Sequence, residues 1–330
     1  MLYNRFKLYY ILVFMLSSTL GNGQNTMGGS TSYVHLEKAS FKSRLYQSLF
    51  SLIGAKTAIE KKINKNKLES TPAPVPKSLR RKYTVTSAMI DHKEVWTIKP
   101  PNDSSEQVVL YLHGGAYIMN LFKQDWKLAE TLVSRTNATV VVPDYPLSPE
   151  KSYKGVYAFM DSVYQYIRTE YPSKDIIVMG TSAGGGLALG YSMQLRDSGM
   201  FQPSQIILLS PWLDVSMSHQ ELSKFDKNDH LLGIKGLQMA GQLYAGDSDL
   251  KNYRVSPIYG NFTGLGKVSV FIGTNDLFIA DSRKLREALD AANNPFGYFE
   301  YPKMFHGWMA FQGLKESEVA INQIVELVND

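Results

Sequence analysis

The chain has 330 residues, of which 44% are hydrophobic and 20% are charged, a composition that can bury a large core. It contains no cysteine, which excludes disulfides, thiolate metal sites and a cysteine nucleophile. The net charge of +5 is modest and the lysines form no basic run interleaved with aromatic residues, so nucleic acid is not an expected partner.

The first 23 residues have the pattern of an export signal. Arg5 and Lys7 precede an apolar run at 8–16, and small residues follow up to Gly21 and Gly23. The run is shorter than the roughly 20 residues that a membrane span needs, so we predict a signal peptide, with an N-terminal anchor or a buried helix as alternatives. We therefore expect a secreted or cell-envelope protein whose mature chain has no stable membrane span.

Residues 24–70 are predicted to form a linker followed by helices. The segment 24–34 is polar and contains glycine, which is typical of a linker. Beyond it, apolar residues recur at helical spacing between lysines, at Leu45, Leu49, Leu52, Ile59 and Ile63. We favour a helix packed on the body of the protein over one lying on a membrane surface. A proline-rich stretch at 72–76 ends this segment, because proline cannot continue a helix.

From residue 83 onward, short β-rich runs alternate with longer helical stretches. This alternation predicts a mostly parallel, eight-stranded sheet with helices on both faces, an α/β fold that occupies residues 71–330. The predicted strands are 84–89, 95–99, 107–112, 139–142, 175–179, 205–209, 268–272 and 297–301. Because parallel sheets place their sites at the carboxyl ends of strands, the polar residues that follow each strand are the candidates for function.

The first such strand end reads GTSAGGG at 180–186, before a helical stretch at 187–196. A serine at a sharp strand-to-helix turn needs small neighbours, and Gly180 and Gly184 flank Ser182 on both sides. Ser182 is therefore a candidate nucleophile. A glycine-rich phosphate loop and a tight turn without function are the alternatives, but the phosphate loop lacks its Gly-Lys-Ser/Thr ending.

A second strand end, HGGA at 113–116, supplies candidate backbone donors. An acyl-transfer site needs N–H groups that hold a developing oxyanion, and glycines provide them without an obstructing side chain. We predict an oxyanion hole made by Gly114 and Gly115 together with Ala183, directly after Ser182. Without Ser182, a plain turn would be the better interpretation of the two glycines.

Two further strand ends supply a base and an acid. Serine is too weak an acid to attack unaided, so it needs an imidazole to take its proton and a carboxylate to orient that imidazole. Asp276 follows the strand predicted at 268–272, and His306 lies in a loop after the last strand. The other candidate for the acid is Asp281, which falls within the predicted helix 280–292.

At this point the sequence resembles the hormone-sensitive-lipase-like branch of the α/β-hydrolases, the bacterial esterase and lipase group called family IV. The resemblance covers about residues 70–330. The order Ser182, Asp276, His306 matches that fold. The resemblance rests on five blocks, namely HGGA at 113–116, DYPLSPE at 144–150, GTSAGG at 180–185, SPWLD at 210–214 and FHG at 305–307.

Two departures and three implied features accompany this resemblance. Ala116 stands where the family often has a third glycine, and Thr181 where it often has aspartate. By resemblance, His113 and Asp144 support the oxyanion loop without entering the chemistry. The family also implies a helical cap, built here from residues 36–70 and an insertion at about 214–262.

These observations predict a serine carboxylesterase for small, short-acyl esters that uses Ser182, His306 and Asp276 and needs no cofactor or metal. One alternative is an acetyl esterase that removes acetyl groups from acetylated carbohydrates. The other is a ligand-binding relative of the fold that has lost catalysis, which the intact His306 disfavours. The expected partner in all three cases is a small molecule.

Overall fold

The computed structural model describes residues 24–27, 29–68, 70–102 and 105–330, and the predicted export signal lies outside these ranges. Within them a single sheet has the strand order β1-β2-β10-β9-β8-β7-β5-β6-β4-β3. Its strands are β1 Gln24–Met27, β2 Ser30–Val34, β3 Thr84–Ile90, β4 Lys93–Lys99, β5 Gln107–Leu112, β6 Thr139–Pro143, β7 Asp175–Thr181, β8 Gln205–Leu209, β9 Lys267–Gly273 and β10 Phe296–Tyr301. All eight predicted strands are present, with bounds within two residues of the prediction.

The centre of the sheet is parallel, and its edges are antiparallel. Strands β2, β10, β9, β8, β7, β5 and β6 run parallel, whereas β4 pairs antiparallel with β6, β3 with β4 and β1 with β2. The parallel strands align their carboxyl ends at one edge of the sheet, which we call the carboxyl edge. The turns that carry the candidate site residues meet there.

The predicted linker at 24–34 is wrong, because part of it joins the sheet. Strand β2 pairs in parallel with β10, in register from Gly297 opposite Thr31 to Glu300 opposite Val34. The Tyr33 ring also packs against Phe299, with ring centroids 6.2 Å apart. The described sheet therefore has ten strands and not eight. Pairing with β10 satisfies the backbone N–H and C=O groups of β2, but the polar, glycine-containing sequence of this segment does not indicate that pairing.

Helices cover both faces of the sheet. They are α1 Phe41–Leu52, α2 Ala58–Asn64, α3 Lys77–Lys82, α4 Lys123–Thr136, α5 Tyr153–Glu170, α6 Ala183–Asp197, α7 Leu222–Asp226, α8 Ile234–Ala245, α9 Ile279–Ala291 and α10 Lys315–Asn329. The cores of α5, α6 and α9 belong to one hydrophobic cluster, and those of α4 and α10 to another. Strand residues alternate between them, as Ile206 and Leu208 face the first cluster and Ile207 and Leu209 the second.

The predicted N-terminal helical segment is present, but it forms two helices, and some of its apolar residues face solvent instead of the core. It breaks at Gly54, whose φ of +65° ends α1, and resumes in α2. Ile59 is buried as predicted, but Leu45, Leu49 and Leu52 face solvent. The buried positions of α1 are instead Ser43, Gln47 and Phe50. The prediction was wrong here because polar contacts of Gln47 with the loops that follow β9 and β10 fix the rotation of α1.

The N-terminal helices and the 214–262 insertion pack together above the carboxyl edge. A side chain at Gly236 of α8 would lie 2.8 Å from the backbone nitrogen of Glu60 in α2, so the two helices cross closely. Lys56 also forms an ion pair of 2.9 Å with Asp226 of α7. Together these segments form a small helical layer, which we call the cap. In the described ranges no helix combines the length and the apolar character that crossing a bilayer demands.

Candidate active site

Ser182 occupies a strained turn between β7 and α6. Its φ of 58° and ψ of −120° lie outside the ordinary regions for a residue with a side chain. The backbone holds this conformation because the Ser182 N–H donates to the carbonyl of Leu209 (2.9 Å) and the Ser182 carbonyl accepts from the Trp212 N–H (2.9 Å). The turn therefore projects the hydroxyl away from the sheet at the start of a helix.

The flanking glycines are required by close backbone approach. A side chain on Gly180 would collide with the carbonyl of Gly184, and one on Gly184 with the carbonyls of Leu112 and His113. The prediction that Ser182 needs small neighbours is confirmed. The same packing brings the end of β5 against the turn.

His306 and Asp276 form a buried pair. The His306 Nδ1 lies 3.0 Å from the Asp276 Oδ2, and the Asp276 Oδ1 accepts the N–H of Phe278 at 3.0 Å. Asp276 is fully buried and His306 is 7% exposed. Burial of the imidazole disfavours its charged form, but the charge and hydrogen bond of Asp276 and the charge of Asp229 outweigh it, so the pKa of His306 is raised above its ordinary 6.5.

Asp281, the other candidate for the acid, lies in α9 as predicted. Burial, followed by the charge of Asp214, raises its pKa to about 7. The carboxylate in contact with His306 is that of Asp276. Geometry therefore assigns the two carboxylates to different surroundings, one against the imidazole and one inside a helix beside a second acid.

Ser182, His306, Gly114 and Gly115 line one pocket of about 340 Å³. Its remaining walls are largely apolar and include Ile59 from the N-terminal helices and Leu237 from the insertion. Asp276 lies behind His306, away from the pocket wall. The structure thus brings the candidate nucleophile, base and oxyanion glycines to a common cavity under the cap.

The 113–117 loop lies directly against Ser182. A side chain on Gly114 would contact the Cβ of Ser182 at 3.2 Å, and Gly115 has a φ of +118° with the Met119 carbonyl pressed against it. In the described residues, the N–H groups of Gly114, Gly115 and Ala183 donate no hydrogen bond to another protein group. Backbone donors next to a serine hydroxyl are thus left available to a ligand.

His113 and Asp144 support this loop by contacts that avoid the pocket. The His113 Nδ1 lies 2.6 Å from the Gly114 carbonyl oxygen, and its ring stacks on Tyr145 at 4.1 Å. Burial lowers the pKa of His113 to about 4, so the ring is neutral and donates from Nδ1. Asp144 accepts the side-chain N–H of Asn120 at 2.6 Å. These contacts agree with the supporting positions that the resemblance implies.

The surrounding structure accommodates Ala116 and Thr181, the two departures from the family pattern. Ala116 adopts a φ of 53°, so the third loop position is left-handed even with a methyl group. The Thr181 hydroxyl lies 3.1 Å from the Tyr111 hydroxyl, which in turn donates to Asp125 at 2.7 Å. A polar network therefore continues from the turn to α4 through an uncharged residue.

Asp229 in the insertion is a site residue that the sequence did not reveal. Its Oδ2 accepts the N–H of Leu277 at 2.8 Å, next to Asp276, and its Oδ1 accepts the N–H groups of Leu231 and Leu232. Burial, then the charge of Asp276, raises its pKa to about 6. An aspartate two residues before a Leu-Leu pair predicts a local turn but not this long-range contact.

Gln47 of α1 is the second residue that only the structure reveals. Its Oε1 accepts from the Asn275 side chain at 2.7 Å, and its Nε2 donates to the Lys303 carbonyl at 3.1 Å. One buried amide thereby joins the loop of Asp276 to the loop of His306. The described residues contain no group of three or more His, Asp or Glu side chains placed to hold a metal ion.

The chain is similar to known proteins of the α/β-hydrolase fold. A family model described as the alpha/beta hydrolase fold matches residues 109–310. The chain is 32% identical over 227 residues to an esterase of Acinetobacter venetianus, covering 68% of this chain and 75% of that one. It is 28% identical over 211 residues to an acetyl-hydrolase of Streptomyces hygroscopicus, covering 63% and 70%.

A solved structure of a hormone-sensitive lipase from a metagenome library superposes with a TM-score of 0.76, covering 88% of this chain and 99% of that one at 24% identity. The chain belongs to the α/β-hydrolase family. It is a carboxylic ester hydrolase.

Proposed function

We propose that the esterase hydrolyses small, short-acyl esters through a covalent acyl-enzyme on Ser182. The observation that supports this most directly is the 3.0 Å contact of Asp276 with His306, whose side chain lines the same pocket as Ser182. In this arrangement Asp276 fixes the imidazole tautomer with a proton on Nδ1, which leaves the other ring nitrogen free to act as a base.

The proposed reaction has two halves. His306 takes the Ser182 proton as the hydroxyl oxygen attacks the ester carbonyl, and the N–H groups of Gly114, Gly115 and Ala183 stabilise the oxyanion. The imidazolium then protonates the departing alkoxide, so that an alcohol leaves and the acyl group stays on Ser182. Water repeats the sequence with His306 as its base and releases the carboxylic acid and free Ser182.

Covalent labelling tests the nucleophile directly. A fluorophosphonate should modify one residue, Ser182, identified by peptide mass spectrometry, because its phosphorus mimics the tetrahedral centre. Ser192→Ala is the matched control, since Ser192 is a buried serine of α6 that hydrogen-bonds the Ala188 carbonyl. Labelling that survives Ser182→Ala would contradict the proposal.

Acetylated carbohydrates are the second candidate substrate class. The similarity to an acetyl-hydrolase supports acetyl as the acyl group that is removed, and the predicted export signal favours a carbohydrate as its carrier. Mass-detected hydrolysis of simple esters from acetate to palmitate beside acetylated sugars separates the two classes. A kcat/KM for an acetylated sugar well above that for ethyl acetate would favour the carbohydrate; equal values would favour the broad esterase.

We also propose that the esterase acts outside the cytoplasm. This rests on the sequence of residues 1–23 alone, with Arg5 and Lys7 ahead of the apolar run at 8–16. N-terminal sequencing of the protein from the source cell, with fractionation, tests it. A mature chain beginning near residue 22 or 24 in an extracytoplasmic fraction is expected; recovery in the cytoplasm with Met1 intact would contradict it.

A further inference from the structure

Helix α1 turns polar side chains toward the protein and apolar side chains toward solvent. Its inward positions include Ser43 and Gln47. Its outward face carries Phe41 (75% exposed), Leu45 (58%), Leu49 (46%) and Leu52 (84%), continued by Ile53 (65%). We call these five residues the α1 stripe. Large apolar side chains gathered on one exposed helix face indicate an interaction surface.

The helix cannot rotate to bury this stripe. Gln47 is held by its bonds to Asn275 and Lys303 of the two site loops. Phe50 packs edge-on against Phe305, with ring centroids 5.3 Å apart, and the Ser40 N–H at the start of α1 bonds Glu316. The exposure of the stripe is therefore fixed by the contacts that position α1, and its partner must come from outside this packing.

The segment that carries the stripe is basic. Residues 36–70 contain eight lysines and arginines and three acids, Glu37, Glu60 and Glu69, a net charge of +5 that equals the net charge of the whole chain. Glu60 pairs with Lys235, and the nearby Asp226 pairs with Lys56. Lys42 and Arg44, both exposed, lie on α1 itself, which has no acidic residue. A positively charged surface of this kind attracts an anionic partner.

We propose that the α1 stripe and its basic surroundings dock the esterase on an anionic lipid surface. A helix that combines an apolar face with lysine and arginine lies in the interface plane of a bilayer, with the apolar side chains inserted below the headgroups. A second copy of the chain is disfavoured, because symmetric pairing would place two segments of net charge +5 face to face. Residues 1–23 are disfavoured for the same reason, since they carry Arg5 and Lys7 and no acid.

Docking in this way brings the pocket close to the lipid. The stripe ends at Ile53, and after Gly54 the chain continues into Ala55, Ala58 and Ile59, which line the pocket. Phe122, 44% exposed, lines it as well. Esters that partition into the headgroup layer then reach Ser182 without first dissolving in bulk water.

The absence of cysteine allows a direct test on the full chain. Leu49→Cys carries a polarity-sensitive fluorophore in the stripe. Ser173→Cys is the control, exposed in the turn before β7 at the opposite edge of the sheet. With vesicles of phosphatidylglycerol and phosphatidylcholine in equal parts, emission from the Leu49 label should shift to the blue and lipid-borne quenchers should reduce it, while the Ser173 label stays unchanged. Phosphatidylcholine alone or high salt should weaken the shift.

Three results would overturn the proposal. A blue shift without vesicles that grows with protein concentration would identify a second copy as the partner. A shift without vesicles that is independent of concentration would identify a segment of the same chain. Vesicle binding with the Leu49 label still in water would assign binding to residues 1–23 alone.

Paired variants separate the stripe from net charge. Leu45→Glu with Leu49→Glu should lower vesicle partitioning roughly a hundredfold, about tenfold for each leucine. Hydrolysis of a soluble acetate ester should be unchanged, while hydrolysis of a vesicle-embedded ester falls in proportion to partitioning. The control variant Met89→Glu with Met200→Glu replaces two exposed apolar residues outside the stripe and adds the same two negative charges. It should partition onto vesicles as the unmodified chain does. Equal losses of vesicle partitioning in the two double variants would mean that charge alone drives binding. That result would contradict the proposal that the stripe inserts into the lipid.

Discussion

At the scale of single residues, the strained turn at Ser182 is the most specific feature of the esterase. A serine with a φ of 58° is held there by backbone bonds to Leu209 and Trp212 and by neighbours that only glycine can supply. Strain of this kind costs on the order of 1–3 kcal/mol and persists where the surroundings over-determine it. Its use is to present the hydroxyl to the pocket.

Ser182→Ala should abolish hydrolysis of p-nitrophenyl acetate, with a loss in kcat of roughly 10⁴-fold or more, because no other group can form the acyl-enzyme. Circular dichroism and thermal unfolding should remain close to those of the unmodified chain. The control Ser192→Ala should retain normal kcat. Turnover near the unmodified rate in Ser182→Ala would refute the assignment.

Asp276 and Asp281 can be distinguished by matched substitutions. Asp276→Asn removes the acceptor that orients His306 and should lower kcat by roughly 10³–10⁴-fold. Asp281→Asn leaves the contact between Asp276 and His306 intact and should cost little activity. Steady-state kinetics on one soluble ester measures both. The reverse order of losses would mean that the wrong carboxylate has been assigned to the imidazole.

At the scale of elements, the cap is joined to the site through Asp229. Its carboxylate bonds the N–H next to Asp276 and lies close enough to raise the pKa of His306. The cap that folds over the pocket is thereby tied to the loop of Asp276, the residue in contact with His306. The contact also places a second buried negative charge beside the pair, which favours the imidazolium formed during reaction.

Asp229→Asn should shift the acid limb of the kcat/KM profile to lower pH. Only neutral His306 acts as a base, so the limb follows its pKa, which lies above 6.5 in the unmodified protein. Removing the Asp229 charge lowers that pKa, since one of the negative charges that favour the imidazolium is lost. The profile of a soluble ester from pH 5 to 9 measures this. A limb that stays in place while kcat falls would mean that Asp229 acts only through packing.

At the scale of the whole molecule, the cap and the sheet enclose a small apolar pocket. Its volume of about 340 Å³ is near the lower end of small-molecule sites, and Leu231, Leu232 and Leu237 contribute to its walls. Burying each added methylene contributes about 0.8 kcal/mol until the pocket is full, after which the chain collides with the wall. A limited acyl length follows from this shape.

We expect kcat/KM to rise and then fall with acyl length, with an optimum between two and about six carbons. A series of p-nitrophenyl esters below their critical micelle concentrations measures it. Docking on lipid changes where the esterase acts and not this optimum. Values that still increase through decanoate and laurate would reveal an open acyl tunnel beneath the cap and contradict the prediction.

Buried carboxyl groups should make the fold less stable as pH rises. Burial and the charge of Asp214 raise the pKa of Asp281 to about 7 from 3.8. The folded state therefore holds this proton more tightly than the unfolded state. The contribution of Asp281 to stability is largest below pH 4, falls as pH rises towards 7 and is then constant, a loss of up to about 4 kcal/mol.

Asp281→Asn should reduce the difference in unfolding free energy between pH 5 and pH 8, because asparagine resembles the protonated acid at every pH. Urea unfolding at the two pH values measures the change. Some dependence should remain from Asp125 and Asp229, whose pKa values burial raises to about 6. A variant as pH-sensitive as the unmodified chain would show that Asp281 ionises freely in the fold.

The sequence alone was sufficient for the central sheet and for the candidate triad. Its eight predicted strands rest on local patterns of apolar residues, and the polar residues at their ends are fixed by the rule that parallel strands place sites at one edge. Ser182, Asp276 and His306 each follow a strand, so finding the strands was enough to nominate them as candidates. The glycines on both sides of Ser182 could also be interpreted from the sequence, because a serine at a sharp turn needs small neighbours.

Only the tertiary structure decided the features that depend on distant partners. Strand β2 is specified by pairing with β10, about 260 residues away, and its own polar residues do not indicate that pairing. The buried face of α1 is chosen by the bonds of Gln47 to Asn275 and Lys303, which override the apolar periodicity of the helix. Asp229 reaches the site because the cap folds back onto it. In each case a contact between segments far apart in the chain outweighs the local preference, and no local pattern encodes such a contact.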